Sequence, residues 1–278
     1  MKRPAASLSR RMTCVLAALL LITAVSSASA FAWKSENTAL EEVDPNWVPP
    51  AVYTSGDYDY IFNEDDGETI SIADYHGKEE NIVIPTELDG YAVTGIGTEA
   101  FSYVKMKSLT VPEQISSIGY RAFEYCTVSE SFTLPKNIRI GMNAFAYASL
   151  PEIIIIPEGA QVGSCAFSYC KAGEIVIVCP QAVMEKRCFG YGYTLAAVVC
   201  AAGAEVEEDA FEYCRSLEQV ILCGDVTLDE EAFSYCRNAK ITQGGEADFA
   251  RILTQLSIEL PEPSPQPEAK TETHTGIL

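Results

Sequence analysis

The sequence is dominated by a repeat of 22 residues that runs through seven consecutive units. Three columns recur in every unit: a phenylalanine, a tyrosine two residues after it, and an apolar residue five residues before it. The phenylalanines are Phe101, Phe123, Phe145, Phe167, Phe189, Phe211 and Phe233, the tyrosines are Tyr103, Tyr125, Tyr147, Tyr169, Tyr191, Tyr213 and Tyr235, and the apolar column is Ile96, Ile118, Ile140, Val162, Met184, Val206 and Leu228. A unit this short cannot close a hydrophobic core alone, so the repeat predicts a solenoid of stacked units.

Each unit also contains one short run of β-branched residues, which predicts a strand. Ile153 to Ile156 and Ile175 to Val178 are the clearest examples. Counted from residues 82–84 to residues 240–242, eight such runs occur. We therefore expect a parallel β-sheet of about eight short strands, with the Ala-Phe-x-Tyr segments forming short helical turns opposite it.

The ends of such a stack expose unpaired strand edges, and the sequence offers a cap for each end. Tyr58 to Phe62 and residues 68–73 alternate in polarity around an Asp66-Gly67 turn signal, which predicts a capping β-hairpin within residues 58–81. Apolar residues with helical spacing from 246 to 258 predict a capping helix within residues 243–260. The repeats occupy residues 82–242 between the two caps.

The remaining segments are predicted to lie outside the stack. Residues 1–30 combine a basic start, an apolar run of twelve residues and Ala28-Ser29-Ala30, the features of a cleavable signal peptide. Residues 31–57 are expected to be a linker, and residues 261–278 a disordered tail rich in proline and glutamate. The protein is thus predicted to be secreted or on the cell surface, with no membrane span after signal cleavage.

Charge and histidine content argue against several classes of function. The net charge is −20, and it becomes −24 without residues 1–30, because that segment holds four basic residues and no acidic one. This charge repels phosphate backbones, so we expect no nucleic acid partner. His76 and His274 are the only histidines, and no nucleophile motif or phosphate loop is present. We expect no catalysis and no cofactor, although a glycosidase-like carboxylate pair stays open among so many acids.

The segment from Val111 to Cys126 reads Val-Pro-x-x-Ile-x-x-Ile-Gly-x-x-Ala-Phe-x-Tyr-Cys and resembles the BspA-type leucine-rich repeat of secreted and surface proteins. Residues 84–101 resemble the first repeat of that family, and the resemblance covers about residues 58–242. It implies a curved leucine-rich-repeat solenoid for adhesion or protein binding, usually to host or matrix proteins, without catalysis. Most units are one residue shorter than the usual family period. Glu185, Glu207 and Asp229 replace the glycine of earlier repeats, so we expect the later repeats to turn differently.

Alternation along the strands divides each run into an inward and an outward set. The inward set is predicted to be Phe132, Leu134, Ile154, Ile156, Val176, Val178, Val198, Cys200, Val220 and Leu222. The outward set is predicted to be Ile153, Ile155, Ile175, Ile177, Ala197, Val199 and Ile221, and we call it the apolar face. Either this face binds a partner, or a loop or the C-terminal helix folds back over it.

The tyrosine column is the second candidate surface. Stacked along one edge, rings such as Tyr125, Tyr147, Tyr169 and Tyr191 would form a strip that grips a sugar or a peptide. The strict periodicity favours a structural role instead, in which each ring packs on its neighbour.

Two further clusters have a functional and a structural interpretation. Residues 207–209 and 229–231 are all acidic and lie one repeat apart, where Ca²⁺ would relieve their repulsion. Without a calcium loop, they are predicted to be a solvated acidic edge, and no metal site is expected. Nine cysteines lie between Cys126 and Cys236, and we expect mostly buried thiols.

These features favour a secreted, non-catalytic, adhesin-like module that binds an extracellular protein or glycan, such as a host matrix protein. The alternative is a structural repeat protein that forms homo-oligomers in the cell envelope, through the apolar face or an imperfectly capped end.

Overall fold

The computed structural model describes residues 49–171 and 173–258, which form nineteen β-strands and one α-helix. The predicted signal peptide, most of the predicted linker and the predicted tail lie outside these residues. The described chain is a β-solenoid with an antiparallel N-terminal unit and a C-terminal helix, so the predicted fold is confirmed.

The solenoid starts from an antiparallel meander of β1 (Tyr53–Ser55), β2 (Tyr58–Phe62) and β3 (Ile70–Tyr75). This meander contains the expected hairpin and adds β1 to it. Strand β3 then pairs in parallel with β6 (Tyr91–Ile96), so the meander covers the first edge of the stack. The short strand β5 (Glu87–Leu88) pairs with the other end of β6.

One side of the solenoid is a ladder of short parallel strands that continues from β6. The strands are β8 (Ser117–Ile118), β10 (Arg139–Ile140), β12 (Gln161–Val162), β14 (Val183–Met184), β16 (Glu205–Val206) and β18 (Thr227–Leu228). Their register places each residue opposite its equivalent one repeat later, as with Ile118 and Ile140. The ladder carries the apolar column inward. A strand of two residues is too short to show an alternation of apolar and polar residues, so the sequence did not predict this ladder of strands.

The second side holds the eight predicted strands, divided into sheets of three and five. The first sheet is β4 (Asn81–Val83), β7 (Lys105–Thr110) and β9 (Thr127–Thr133), and the second is β11 (Ile153–Ile156), β13 (Ile175–Val178), β15 (Ala197–Ala201), β17 (Gln219–Cys223) and β19 (Lys240–Gly244). Isolated bridges of Ser149 with Thr127 of β9 and with Lys171 continue the pairing of the first sheet into the next two repeats.

The third side consists of consecutive turns, where short helical turns were expected. In the second repeat the Ala122 amide donates to the Gly119 carbonyl at 3.3 Å, and the Cys126 amide donates to the Phe123 carbonyl at 3.1 Å. The backbone φ is +53° at Arg121 and +58° at Tyr125. Left-handed residues at this spacing exclude a right-handed helix and are typical of type II turns.

The core is a column of phenylalanine rings, one per repeat. Consecutive rings lie 4.7 to 5.5 Å apart between centroids and are nearly parallel. Tyr75 continues the column into the meander, at 5.1 Å from Phe101. The predicted inward residues of the four strands from β11 to β17 are all buried against this column, and Phe132 and Leu134 pack beside it.

The later repeats turn as the earlier ones do, which corrects the expectation drawn from their missing glycines. The Gly163 amide donates to the Ile140 carbonyl at 2.8 Å, and the Glu185 amide donates to the Val162 carbonyl at 2.9 Å. The Glu185 carboxylate also accepts the Ser164 amide at 2.9 Å. The acidic residue therefore keeps the backbone bond of the glycine and adds a contact to the preceding repeat.

Helix α1 (Glu246–Gln255) does not cap the end of the stack. It lies along the outer side of β15 and β17. Phe249, Ile252, Leu253 and Leu256 form a second apolar cluster with the outward residues of these strands. The helix therefore covers a sheet face, while β19 remains the last strand of its sheet.

Candidate binding surfaces

The seven repeat tyrosines form one continuous row, which we call the tyrosine strip. Neighbouring rings lie 4.3 to 5.0 Å apart between centroids, with interplanar angles of 3° to 16°. The four predicted members Tyr125, Tyr147, Tyr169 and Tyr191 make up its middle. Each ring therefore packs on its neighbours, as the structural interpretation of this column predicts.

The backbone under the strip is left-handed at every tyrosine, with φ between +58° and +64°. A residue with a Cβ adopts this conformation at a cost of about 1–2 kcal/mol. The cost is offset by bonds between repeats: the Tyr147 amide donates to the Ser168 carbonyl and the Tyr191 amide to the Glu212 carbonyl, at 2.9 and 2.7 Å. Glycine would fit this backbone without strain, so the ring itself explains why tyrosine stands here.

Exposure varies along the strip. Tyr103, Tyr125, Tyr147 and Tyr235 are exposed, and the other three rings are half-buried. Burial is the main cause that raises the pKa of Tyr147, Tyr169 and Tyr191. The exposed Tyr193 lies close enough to raise these three pKa values further. Sequence reasoning missed Tyr193 because it stands outside the repeat columns, and the Tyr-Gly-Tyr sequence was its only signal.

Two arginines border the C-terminal end of the strip. Arg215 and Arg237 line a depression together with Tyr213, Tyr235 and Asn238. The Arg215 guanidinium lies 5.7 Å from the centroid of the Tyr213 ring, within the range of a cation–π contact. This end of the strip combines aromatic area with positive charge in a chain that is otherwise strongly acidic.

The apolar face points outward as predicted, but helix α1 covers its centre. Ile177 and Val199 are buried in the cluster that the helix completes. Ile153, Ile155, Ile175 and Ile221 pack at the margin of the same cluster and are partly exposed. The folded-back helix that the sequence left open as an alternative is therefore present, and Ile177 and Val199 have no surface left for a partner.

Basic residues of the preceding repeat compensate part of the acidic edge. Lys186 lies 2.8 Å from Glu208, and Arg187 lies 2.7 Å from Glu212 and 3.4 Å from Asp209. These pairs relieve the repulsion for which a cation was considered.

The nine cysteines of the described residues are free, and seven of them are buried. Burial raises the pKa of Cys126 and Cys200 to about 12. The half-buried Cys236 differs, because a hydrogen bond from Cys214 lowers the pKa of its thiol. The buried Cys170 thiol donates to the Phe145 carbonyl at 2.9 Å.

Stacked parallel strands, a ring ladder and one short unit per turn define a leucine-rich-repeat solenoid. The sequence matches the BspA type leucine rich repeat region over residues 75–196 and 129–242, with six copies. This is more than half of the chain, so the protein belongs to the BspA-type leucine-rich repeat family.

Solved structures of bacterial leucine-rich repeat proteins are similar to this chain. A leucine-rich repeat protein of T. pallidum, TpLRR, is 22% identical, with 70% of this chain and 81% of that chain covered and a TM-score of 0.44. A leucine-rich repeat protein of Bacteroides capillosus is 25% identical, with 46% and 97% covered and a TM-score of 0.38. The pneumococcal vaccine antigen PcpA is 12% identical, with 71% and 82% covered and a TM-score of 0.31. No curated protein matches the sequence significantly.

Within the described part of the chain, no helix has the length and apolarity to cross a membrane.

Proposed function

We propose that this chain is a secreted, non-catalytic, adhesin-like protein of the cell surface that binds an extracellular protein or glycan through the tyrosine strip. The observation that carries the proposal is the strip itself, a row of seven stacked rings on a backbone fixed by bonds between repeats. Tyrosines held in this way offer a large contact area at little entropic cost on binding.

The stacking restricts how a ligand would contact the strip. The faces of the inner rings are occupied by neighbouring tyrosines, so a ligand meets ring edges and hydroxyl groups spaced about one repeat apart. Only the terminal rings, Tyr103 and Tyr235, have a neighbouring ladder tyrosine on one face alone. An extended peptide or glycan chain that lies along the row suits this arrangement better than a single sugar ring. The net charge of the chain favours neutral or basic partners.

The test is binding of residues 31–278 to a panel of matrix proteins, mucins and glycans. The variant carries Tyr125→Gly and Tyr147→Gly, because glycine accepts the left-handed backbone and removes only the rings. Val83→Ser, at an exposed apolar residue outside the strip, is the matched control. We expect saturable binding that the control retains and the double variant loses. Binding retained by the double variant would contradict a role for the strip, and binding lost after Ile155→Glu alone would favour the margin of the apolar face.

A second candidate function, self-assembly, is favoured by the two outermost strands of the second side. Strand β4 is the N-terminal edge of the three-stranded sheet, and β19 is the C-terminal edge of the five-stranded sheet. Val83 on β4 and Ile241 on β19 are both exposed. Pairing of β19 with β4 of the next copy would be head-to-tail and open-ended. Light scattering over a range of concentrations tests it: growth that Ile241→Pro abolishes would support assembly, because the N–H of Ile241 points away from β17, and a monomer at every concentration would rule it out.

A further inference from the structure

Two buried aspartates face each other in the N-terminal meander. Asp59 on β2 and Asp74 on β3 are direct partners in the antiparallel register. Their side chains belong to residues that are only 3% and 6% exposed. Like charges directly opposite on adjacent strands repel, and burial in a medium of low polarity strengthens the repulsion. A positive charge held between the two carboxylates would relieve this repulsion.

His76 lies between the two carboxylates. Its Nε2 is 2.9 Å from Oδ2 of Asp59, and its Nδ1 is 3.9 Å from Oδ2 of Asp74. The other oxygen of each aspartate is held by a protein donor: the Thr54 hydroxyl donates to Asp59 Oδ1 at 2.7 Å, and the Tyr75 amide donates to Asp74 Oδ1 at 2.9 Å. These outer bonds fix the two carboxylates, as second-shell partners do around metal ligands.

We propose that Asp59, Asp74 and His76 form a site for a divalent transition metal ion of the zinc type. One donor atom from each of the three residues lies within 4.8 Å of the other two. Two carboxylate oxygens and one imidazole nitrogen are ligands that Zn²⁺ accepts, with a fourth position for water. Ca²⁺ requires six to eight oxygen ligands, which two aspartates do not supply.

Access to the site is through its histidine. The His76 side chain is 44% exposed and lines a cleft at the start of the tyrosine strip, beside Tyr103. Lys78, Glu79 and Lys105 line the same cleft and add no net negative charge, so binding of a cation depends on both aspartates. Sequence patterns predict no metal site here, because Asp59 and Asp74 are brought together only by the pairing of β2 with β3.

The experiment is a calorimetric titration of Zn²⁺ into residues 31–278 treated with a chelator. The accessible thiols are alkylated beforehand, because thiolates also bind Zn²⁺. We expect one saturable site per chain and a rise in melting temperature with Zn²⁺, with no comparable effect of Ca²⁺. His76→Ala should weaken binding by more than about tenfold, the lower limit for losing even an outer-shell partner. His274→Ala, at the only other histidine, should leave it unchanged.

Asp59→Asn separates loss of the site from loss of the fold. It removes one charge of the repelling pair, so without metal its melting temperature should equal or exceed that of the wild type. With Zn²⁺ its binding should fall together with that of His76→Ala. Absence of saturable binding at millimolar Zn²⁺, unchanged binding in both variants, or an equal response to Ca²⁺ would overturn the proposal.

Discussion

The rings of Tyr147 and Tyr169 stack at 4.8 Å with an angle of 8° between their planes, although both residues have a left-handed backbone. The turn that carries each ring is one that glycine would accept without strain. The protein thus maintains an unfavourable backbone conformation at each repeat to keep an aromatic row.

Replacement of Tyr147 should reverse the usual order of alanine and glycine. Both Tyr147→Ala and Tyr147→Gly lose the ring, but only glycine relieves the strain at φ +58°. We expect Tyr147→Gly to have a free energy of unfolding about 1 kcal/mol higher than Tyr147→Ala. Urea unfolding followed by circular dichroism measures the difference.

The matched control is Glu130, an exposed residue of strand β9. Glycine lowers stability by about 0.5–1 kcal/mol relative to alanine in an ordinary strand position, so the order there should be the normal one. If Tyr147→Ala proved more stable than Tyr147→Gly, the left-handed backbone would carry no cost.

Removal of a phenylalanine from the middle of the core should be far more damaging than removal at its end. Phe145 is fully buried and stacks on rings at 4.9 Å on both sides. Phe145→Ala should lower the free energy of unfolding by about 3–5 kcal/mol. Phe233 is partly buried and, among the described residues, stacks on Phe211 alone, so Phe233→Ala should cost less than half as much. Equal losses in denaturant unfolding would mean that stacking from both sides does not determine stability.

The repeat columns were enough to predict most of this fold, because a residue that recurs at a fixed interval must occupy equivalent positions in a stack. The inward residues, such as Ile154 and Val176, followed from alternation along the strands. The turns were missed because tyrosine is not a residue typical of left-handed positions, so Tyr125 carried no turn signal.

Features that depend on contacts between distant segments could not be predicted from the sequence. The apolar spacing of residues 246–258 predicted a helix. The spacing does not show against which apolar surface of the solenoid the helix packs. Ile177 belongs to that surface, and only the packed structure shows that it is buried there. The opposition of Asp59 and Asp74 likewise depends on a strand register that shifts between Asp59 and Tyr60.

Disruption of helix α1 should uncover the apolar face without unfolding the solenoid. Leu253 is the buried residue of the helix, and its cluster is separate from the phenylalanine core. In Leu253→Asp, we expect fast hydrogen exchange for residues 246–255, retained protection in β15, and increased binding of an apolar dye. Arg251→Ala, on the exposed side of the helix, should change none of these. A parallel loss of protection in β15 would mean that the helix and the solenoid form one cooperative unit.

Alkylation should distinguish Cys236 from the buried thiols. A hydrogen bond from Cys214 lowers the pKa of Cys236, while burial raises the pKa of Cys126 to about 12. The thiolate is the reactive form, so at pH 8 Cys236 should be modified by iodoacetamide well before Cys126. The rate at Cys236 should also level off at a lower pH than that of an ordinary cysteine. In Cys214→Ala this pH should move upward, because the bond that stabilises the thiolate is lost. Mass spectrometry of tryptic peptides gives both rates, and an unchanged profile in Cys214→Ala would show that Cys214 does not act on its neighbour.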